Sequence, residues 1–196
     1  MKHLKKSTGA ALLSAAVALG IIGASDHSFS PQTASAAAAV KDDQAQAQAQ
    51  ALQTLNSFYK PALKGQFPGA MAGLTVGVST RQEVRKQIGD PELPGQDSDA
   101  FDIYHAEMGH PGYAVSYKLN KIRELRYFGT NVERQTNIGG ITLKMLMHNW
   151  GAPAATKTIK NGKLVQKKVV YNRGDYVLSF IFNDNTHLDH INLTAK

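Results

Sequence analysis

Val76-Gly77-Val78-Ser79-Thr80-Arg81-Gln82-Glu83-Val84-Arg85-Lys86-Gln87-Ile88-Gly89-Asp90-Pro91 decides the fold, because its pattern returns 62 residues later. The second copy opens on Ile138-Gly139-Gly140-Ile141-Thr142, runs through Leu146 and Trp150, and closes on Gly151-Ala152-Pro153. Gly, Thr, Gly and Pro recur in register, with apolar residues at matching positions between them. Such self-similarity predicts one supersecondary unit used twice.

Each copy reads as a short capped helix. Thr80 can accept from a free backbone N–H while Glu83 reaches back, a capping box. Val84 and Ile88 share a face, Gly89 suits a left-handed position after the last turn, and Pro91 prevents continuation. In the second copy Thr142 caps, Leu143, Leu146 and Trp150 form the apolar stripe, and Gly151 and Pro153 end it. Met145 stands where the box glutamate would be, so that start is expected to be weaker.

Alternating segments follow each helix. After the first come 101–105, 113–119 and 122–128; after the second come 155–160, 163–171, 176–182 and 188–193. Asn161-Gly162 between two of them signals a type I′ hairpin. Tyr113-Ala114-Val115-Ser116-Tyr117 parallels Tyr176-Val177-Leu178-Ser179-Phe180, and Tyr104 and Tyr171 occupy comparable preceding segments. Tyr113, Val115 and Tyr117 alternate onto one face, as do Tyr176, Leu178 and Phe180, and these faces are expected to bury the helices. The expected fold is α+β: two tandem helix-plus-antiparallel-meander repeats, about 52–129 and 130–196, forming one sheet with helices on one face.

The Gly-x-x-Thr helix with its Gly-x-Pro ending, followed by a meander, resembles the helix-plus-sheet repeat of the beta-lactamase inhibitor protein. It is also similar to the small lipoproteins of outer-membrane assembly complexes. From Leu52 to Leu193 the chain resembles the YjgB-like secreted proteins of bacilli, a family without an established activity. The inhibitor family relies on paired cysteines, which are absent here, so no inhibitory residue is carried over.

The N-terminus reads as an export signal. Lys2, Lys5 and Lys6 precede the apolar run 9–23, and Ala34-Ser35-Ala36 has the small-x-small pattern of a signal peptidase site. The run falls short of the roughly 20 residues of a spanning helix. Residues 1–36 are therefore expected to be removed, leaving a secreted chain of about 160 residues, enough for one core. Removal leaves 19 basic and 14 acidic residues, a net charge of about +5. The Ala/Gln-rich stretch 37–51 is expected to be a flexible spacer. Leu52, Leu55, Phe58 or Tyr59, and Leu63 then suggest an amphipathic helix ending near Tyr59. With no cysteine, neither a disulfide framework nor a lipid anchor is open.

No catalytic signature stands out: there is no Cys nucleophile, G-x-S-x-G, H-E-x-x-H or phosphate loop. His187-Leu188-Asp189-His190 is the tightest histidine group, but on a strand His190 points away from its neighbours. His105 and His110 flank a Gly-Pro turn. Asp97, Asp99 and Asp102 depart from the calcium-loop pattern, with Asp102 and Met108 where Gly and Glu belong, and read as a solvated loop. Lys157, Lys160, Lys163, Lys167 and Lys168 crowd one hairpin. They are either a basic finger for an anionic polymer or protection of a sheet edge against aggregation.

These features favour a secreted, non-enzymatic, monomeric binding protein, with no metal or cofactor. Its expected partner is a protein or an anionic wall polymer rather than nucleic acid. The rival readings are an exported hydrolase using His105, His110 or His187, and a protein inhibitor using the open sheet face.

Overall fold

Seven strands pair in one antiparallel sheet in the order β1-β2-β3-β7-β6-β5-β4. They are β1 (Phe101–Tyr104), β2 (Pro111–Lys118), β3 (Lys121–Thr130), β4 (Ala155–Asn161), β5 (Leu164–Arg173), β6 (Tyr176–Phe182) and β7 (Leu188–Ala195). Among the described residues three α-helices accompany them: α1 (Gln32–Ser57), α2 (Arg81–Ile88) and α3 (Leu143–Trp150). The computed structural model describes residues 32–97, 100–107, 109–130 and 138–196. The expected signal peptide lies outside them up to residue 31.

The sheet places β3 against β7, so the two meanders meet at its middle. The register stacks Tyr113, Tyr127, Ile191, Phe180 and Val169 in one row. Val115, Leu125, Leu193, Leu178 and Tyr171 form the next. Both rows lie on one face and belong to the core, as period-two alternation requires. Phe58 at the end of α1 packs edge-on against Tyr127, and Trp150 at the end of α3 packs against Tyr171 and Phe180. The Arg81 guanidinium of α2 lies 4.5 Å from the Tyr117 ring centroid. All three helices thus serve the same face: they bury Ala51, Leu55, Val84 and Leu146 there, joined by Phe58 directly after α1.

The short helices start as their sequences require. Thr80 Oγ1 accepts from the Glu83 N–H at 3.3 Å, and Glu83 Oε2 accepts from the Thr80 N–H at 2.7 Å, closing the box. Thr142 Oγ1 accepts from the Met145 N–H at 3.0 Å, with no return bond because Met145 has nothing to offer.

Two local expectations are corrected. The hairpin β4–β5 pairs Asn161 with Leu164, so its two-residue turn is Gly162-Lys163 with Gly162 at φ +60. That is the glycine-first arrangement of a II′ turn rather than I′. The I′ arrangement, positive φ at both central residues, occurs instead at Leu119-Asn120 between β2 and β3, with φ of 51 and 62. Finally, the Ala/Gln-rich stretch expected as a spacer belongs to α1, exposed throughout 42–50. Alanine and glutamine are good helix formers, and packing engages α1 only from Ala51 onward.

Candidate functional site

The ends of α1 and α3 lie side by side and leave a cleft of about 530 Å3, lined by Asn56, Ser57, Tyr59, Lys60, Pro61, Asn149 and Trp150. Helix α1 stops there because Pro61 follows within four residues and starts a tight 3-10 turn, Pro61–Lys64. Tyr59 is left 42% exposed. Its ring meets Trp150 edge to face at 4.9 Å. Trp150 Nε1 donates to Asn56 Oδ1 at 2.9 Å, and Asn149 Nδ2 donates to the Met145 carbonyl at 2.8 Å.

Arg173 supports this aromatic pair from inside. Its guanidinium sits 3.8 Å from the Tyr59 centroid and 5.7 Å from that of Trp150. Its NH2 donates to the Tyr59 carbonyl at 2.6 Å. Both ring contacts have cation–π geometry, and they hold two aromatic side chains at the surface. Tyr171 Oη donates to the Gly151 carbonyl at 2.9 Å, tying the end of α3 to β5. Trp150 is therefore half in the core, as its stripe position predicted, and half in the cleft. Nothing local in the sequence marked Arg173, whose hydrogen-bond partner Tyr59 lies 114 residues upstream.

A second pocket, about 400 Å3, opens between α2 and the β1–β2 connection. His105 and His110 both line it, together with Glu92, Glu107, Tyr104 and Tyr113. His187 does not belong: its Nδ1 lies 2.6 Å from Asp184 Oδ2. The Thr186 backbone N–H, then His187 and the Thr186 hydroxyl, hold the Asp184 carboxyl far below the usual range. His190 Nδ1 contacts Asp189 Oδ2 at 2.5 Å, and Asn183 Nδ2 donates to the other Asp189 oxygen. The four-residue group thus splits into two separate pairs. No cluster of three or more His, Cys, Asp or Glu side chains arranged for a metal occurs among the described residues.

Asp102, read as part of a solvated loop, is fully buried on the helix face. Arg81 Nε and Arg85 NH2 each lie 3.7 Å from its Oδ2, and the Gly95 N–H donates to Oδ1 at 2.9 Å. Asp97 Oδ1 accepts from the Ala100 N–H, and Asp99 lies outside the described residues. Asp97 and Asp102 thus hold different backbone N–H groups.

The five lysines are divided as well. Lys157 and Lys168 face each other across β4–β5, Thr158 rather than a lysine opposes Lys167, and Val165 opposes Lys160. Lys163 is in the turn, and Lys167 Nζ donates to Asn185 Oδ1. Alternation puts Lys157 and Lys168 on the face away from the helices, and Lys160 and Lys167 on the other. The hairpin closes the sheet with β4 as its edge strand.

Fold and sequence together define the class: an α+β domain with an open antiparallel sheet. The model of the DUF4309 family, described as a domain of unknown function, matches residues 55–194. The chain belongs to that family. It is 37% identical over 194 residues to a Bacillus subtilis (strain 168) relative, the uncharacterised protein YjgB, covering 98% of this chain and 100% of the relative. The crystal structure of YjgB from the same species aligns with a TM-score of 0.67 over 75% of this chain and 99% of that one. An extracellular SCP-domain protein of Bacillus anthracis str. Ames aligns with a TM-score of only 0.41 at 9% identity, which carries no argument.

Proposed function

We propose that this protein is exported and binds a component of the cell envelope without transforming it. The observation that carries the reading is the cleft at Trp150. Two aromatic rings held at the surface by a buried arginine provide flat apolar contact, and amides surround them. The Asn56 amide NH2 and the Asn149 side-chain carbonyl have no partner among the described residues. A concave site of mainly apolar walls with a few placed polar groups is the usual form of a small-ligand site. Aromatic faces ringed by amides suit a sugar ring, apolar on its faces and hydroxylated at its edge.

The lysine hairpin adds a weaker, longer-range attraction to anionic wall polymer. Lys157 opposite Lys168 is a like-charge pair, which lowers sheet stability. Protection of the edge requires only one of them, so the pair favours recruitment of a polyanion. This attraction falls steeply once salt shortens the Debye length below about 8 Å. The capped helix and its meander are best understood as one unit used twice. Thr80 and Thr142 cap alike, Gly89 and Gly151 end alike, and β3 and β7 adjoin at the middle.

A hydrolase has one observation in its favour, the convergence of His105 and His110 on one pocket. No serine or threonine is among the described residues lining it, so no aliphatic hydroxyl adjoins those imidazoles.

The test is sedimentation of the mature protein with purified cell walls. Wild type should co-sediment at low salt. Replacing Lys157, Lys163 and Lys168 by Gln should release it with the fold unchanged, and Trp150→Ala should weaken the salt-resistant fraction. Equal sedimentation of all three would remove both surfaces from the account. Hydrolysis of wall material, lost in His105→Ala, would replace binding with catalysis.

A further inference from the structure

The cleft at Trp150 fixes the sense of both amides that line it. The indole N–H can only donate, so it holds the Asn56 oxygen against Trp150 and turns the Asn56 NH2 away. The Met145 carbonyl can only accept, so it holds the Asn149 NH2 and leaves the Asn149 oxygen without a partner among the described residues. Both side chains are exposed and line the same cleft. Asn56 therefore offers a donor and Asn149 an acceptor, and neither amide can flip without breaking a bond that it already makes.

The rest of the lining selects further. Ser57 Oγ commits its proton to the Thr54 carbonyl at 2.7 Å, which leaves it an acceptor. Lys60 is exposed and is the one charged side chain among the described residues that line the cleft. The Arg173 guanidinium adds positive charge beside Tyr59. An ammonium group is repelled there. A hydroxyl rotates to donate or to accept, so it gains little from partners of fixed sense. A secondary amide carries an N–H and a carbonyl fixed on opposite edges, the complement of Asn149 and Asn56, and it is neutral.

We infer that the cleft takes an N-acetylated amino sugar. Its acetamido carbonyl accepts from Asn56 Nδ2 and its N–H donates to Asn149 Oδ1, while Pro61, Tyr59 and Trp150 meet its methyl group and ring. This inference rests on the reading of the cleft as a sugar site and names the substituent that the site selects.

Three trisaccharides differ at that substituent: tri-N-acetylchitotriose, its fully de-acetylated counterpart, and cellotriose. N-acetyl-trialanine amide presents the same amide without a sugar. Each is titrated into the full mature protein while the emission of its single tryptophan is followed. The acetylated trimer should give a saturable change, about tenfold tighter than cellotriose, the worth of one added hydrogen bond. Asn56→Asp keeps the oxygen that accepts from Trp150 and deletes only the NH2 donor. It should weaken the acetylated trimer about tenfold and leave both cellotriose binding and the melting temperature in place. Equal binding of cellotriose and the acetylated trimer overturns the inference but leaves the sugar site standing. No response to any sugar removes both. Preference for the de-acetylated trimer, or binding of the peptide as tight as that of the acetylated sugar, overturns the inference. Parallel weakening of both neutral sugars in Asn56→Asp overturns it too, because the residue would then serve the fold and not the acetamido group.

Discussion

Gly89 and Gly151 follow the last turns of α2 and α3 at φ +89 and +77, with ψ of −177 and −164. The sequence predicts left-handed helical positions there, and the positive φ agrees. The ψ values, however, place both residues in the extended region of positive φ, which is essentially restricted to glycine. A Cβ at Gly151 would meet nothing within 4 Å, so the whole cost of a side chain is backbone strain. Gly151→Val should lower stability by about 1–3 kcal/mol, read as an earlier midpoint in urea with an unchanged slope. An unmoved midpoint would show that this backbone tolerates any residue. Trp150 was legible as an apolar stripe residue, but its second role was not, because Tyr59 and Arg173 reach it from distant parts of the chain. Asp102 was misread for a related reason. Its neighbours in sequence are polar, whereas the arginines that bury and pair it come from a helix seventeen to twenty-one residues upstream.

At the scale of elements, capping was the most readable feature, since Thr80 with Glu83, and Thr142 with Met145, act only three residues apart. The two caps should respond differently to mutation. Thr142→Ala removes one bond and should cost about 1 kcal/mol, whereas Thr80→Ala removes two, one from the Glu83 N–H and one to the Glu83 carboxylate, and should cost more. Hydrogen bonds from the Thr80 backbone and then its hydroxyl hold the Glu83 carboxyl below its ordinary value of 4.5. A lowered folded-state value stabilises the fold above the ordinary one and loses that effect as pH falls through and below it. The gap between wild type and Thr80→Ala in thermal unfolding should therefore be full at neutral pH and narrow below about pH 4.5. A gap independent of pH would mean that the Thr80 hydroxyl does not bond the Glu83 carboxylate. Turn chemistry was less readable. The Leu119-Asn120 turn places a leucine at positive φ, where side-chain identity gives no warning, and the register of the whole hairpin imposes it.

For the molecule as a whole, alternation in the strands gave away the sheet and the face that buries the helices. The order of strands was not legible, because the pairing of β3 with β7 joins segments some sixty residues apart. Nor was either cavity, since each is formed where helix ends and loops from separate parts of the chain converge. Export remains a matter of the N-terminal pattern. Mass spectrometry of the extracellular protein should find Ala37 as its first residue, and full-length protein retained inside the cell would contradict it. The central claim, binding without turnover at the cleft between α1 and α3, has a built-in reporter in the single tryptophan. Purified wall glycan fragments titrated into the mature protein should change Trp150 emission saturably, shield it from iodide, and be recovered intact. Asn149→Ala should shift that titration to higher concentration. Emission and quenching unaffected by any fragment, or fragments recovered cleaved, would contradict the account.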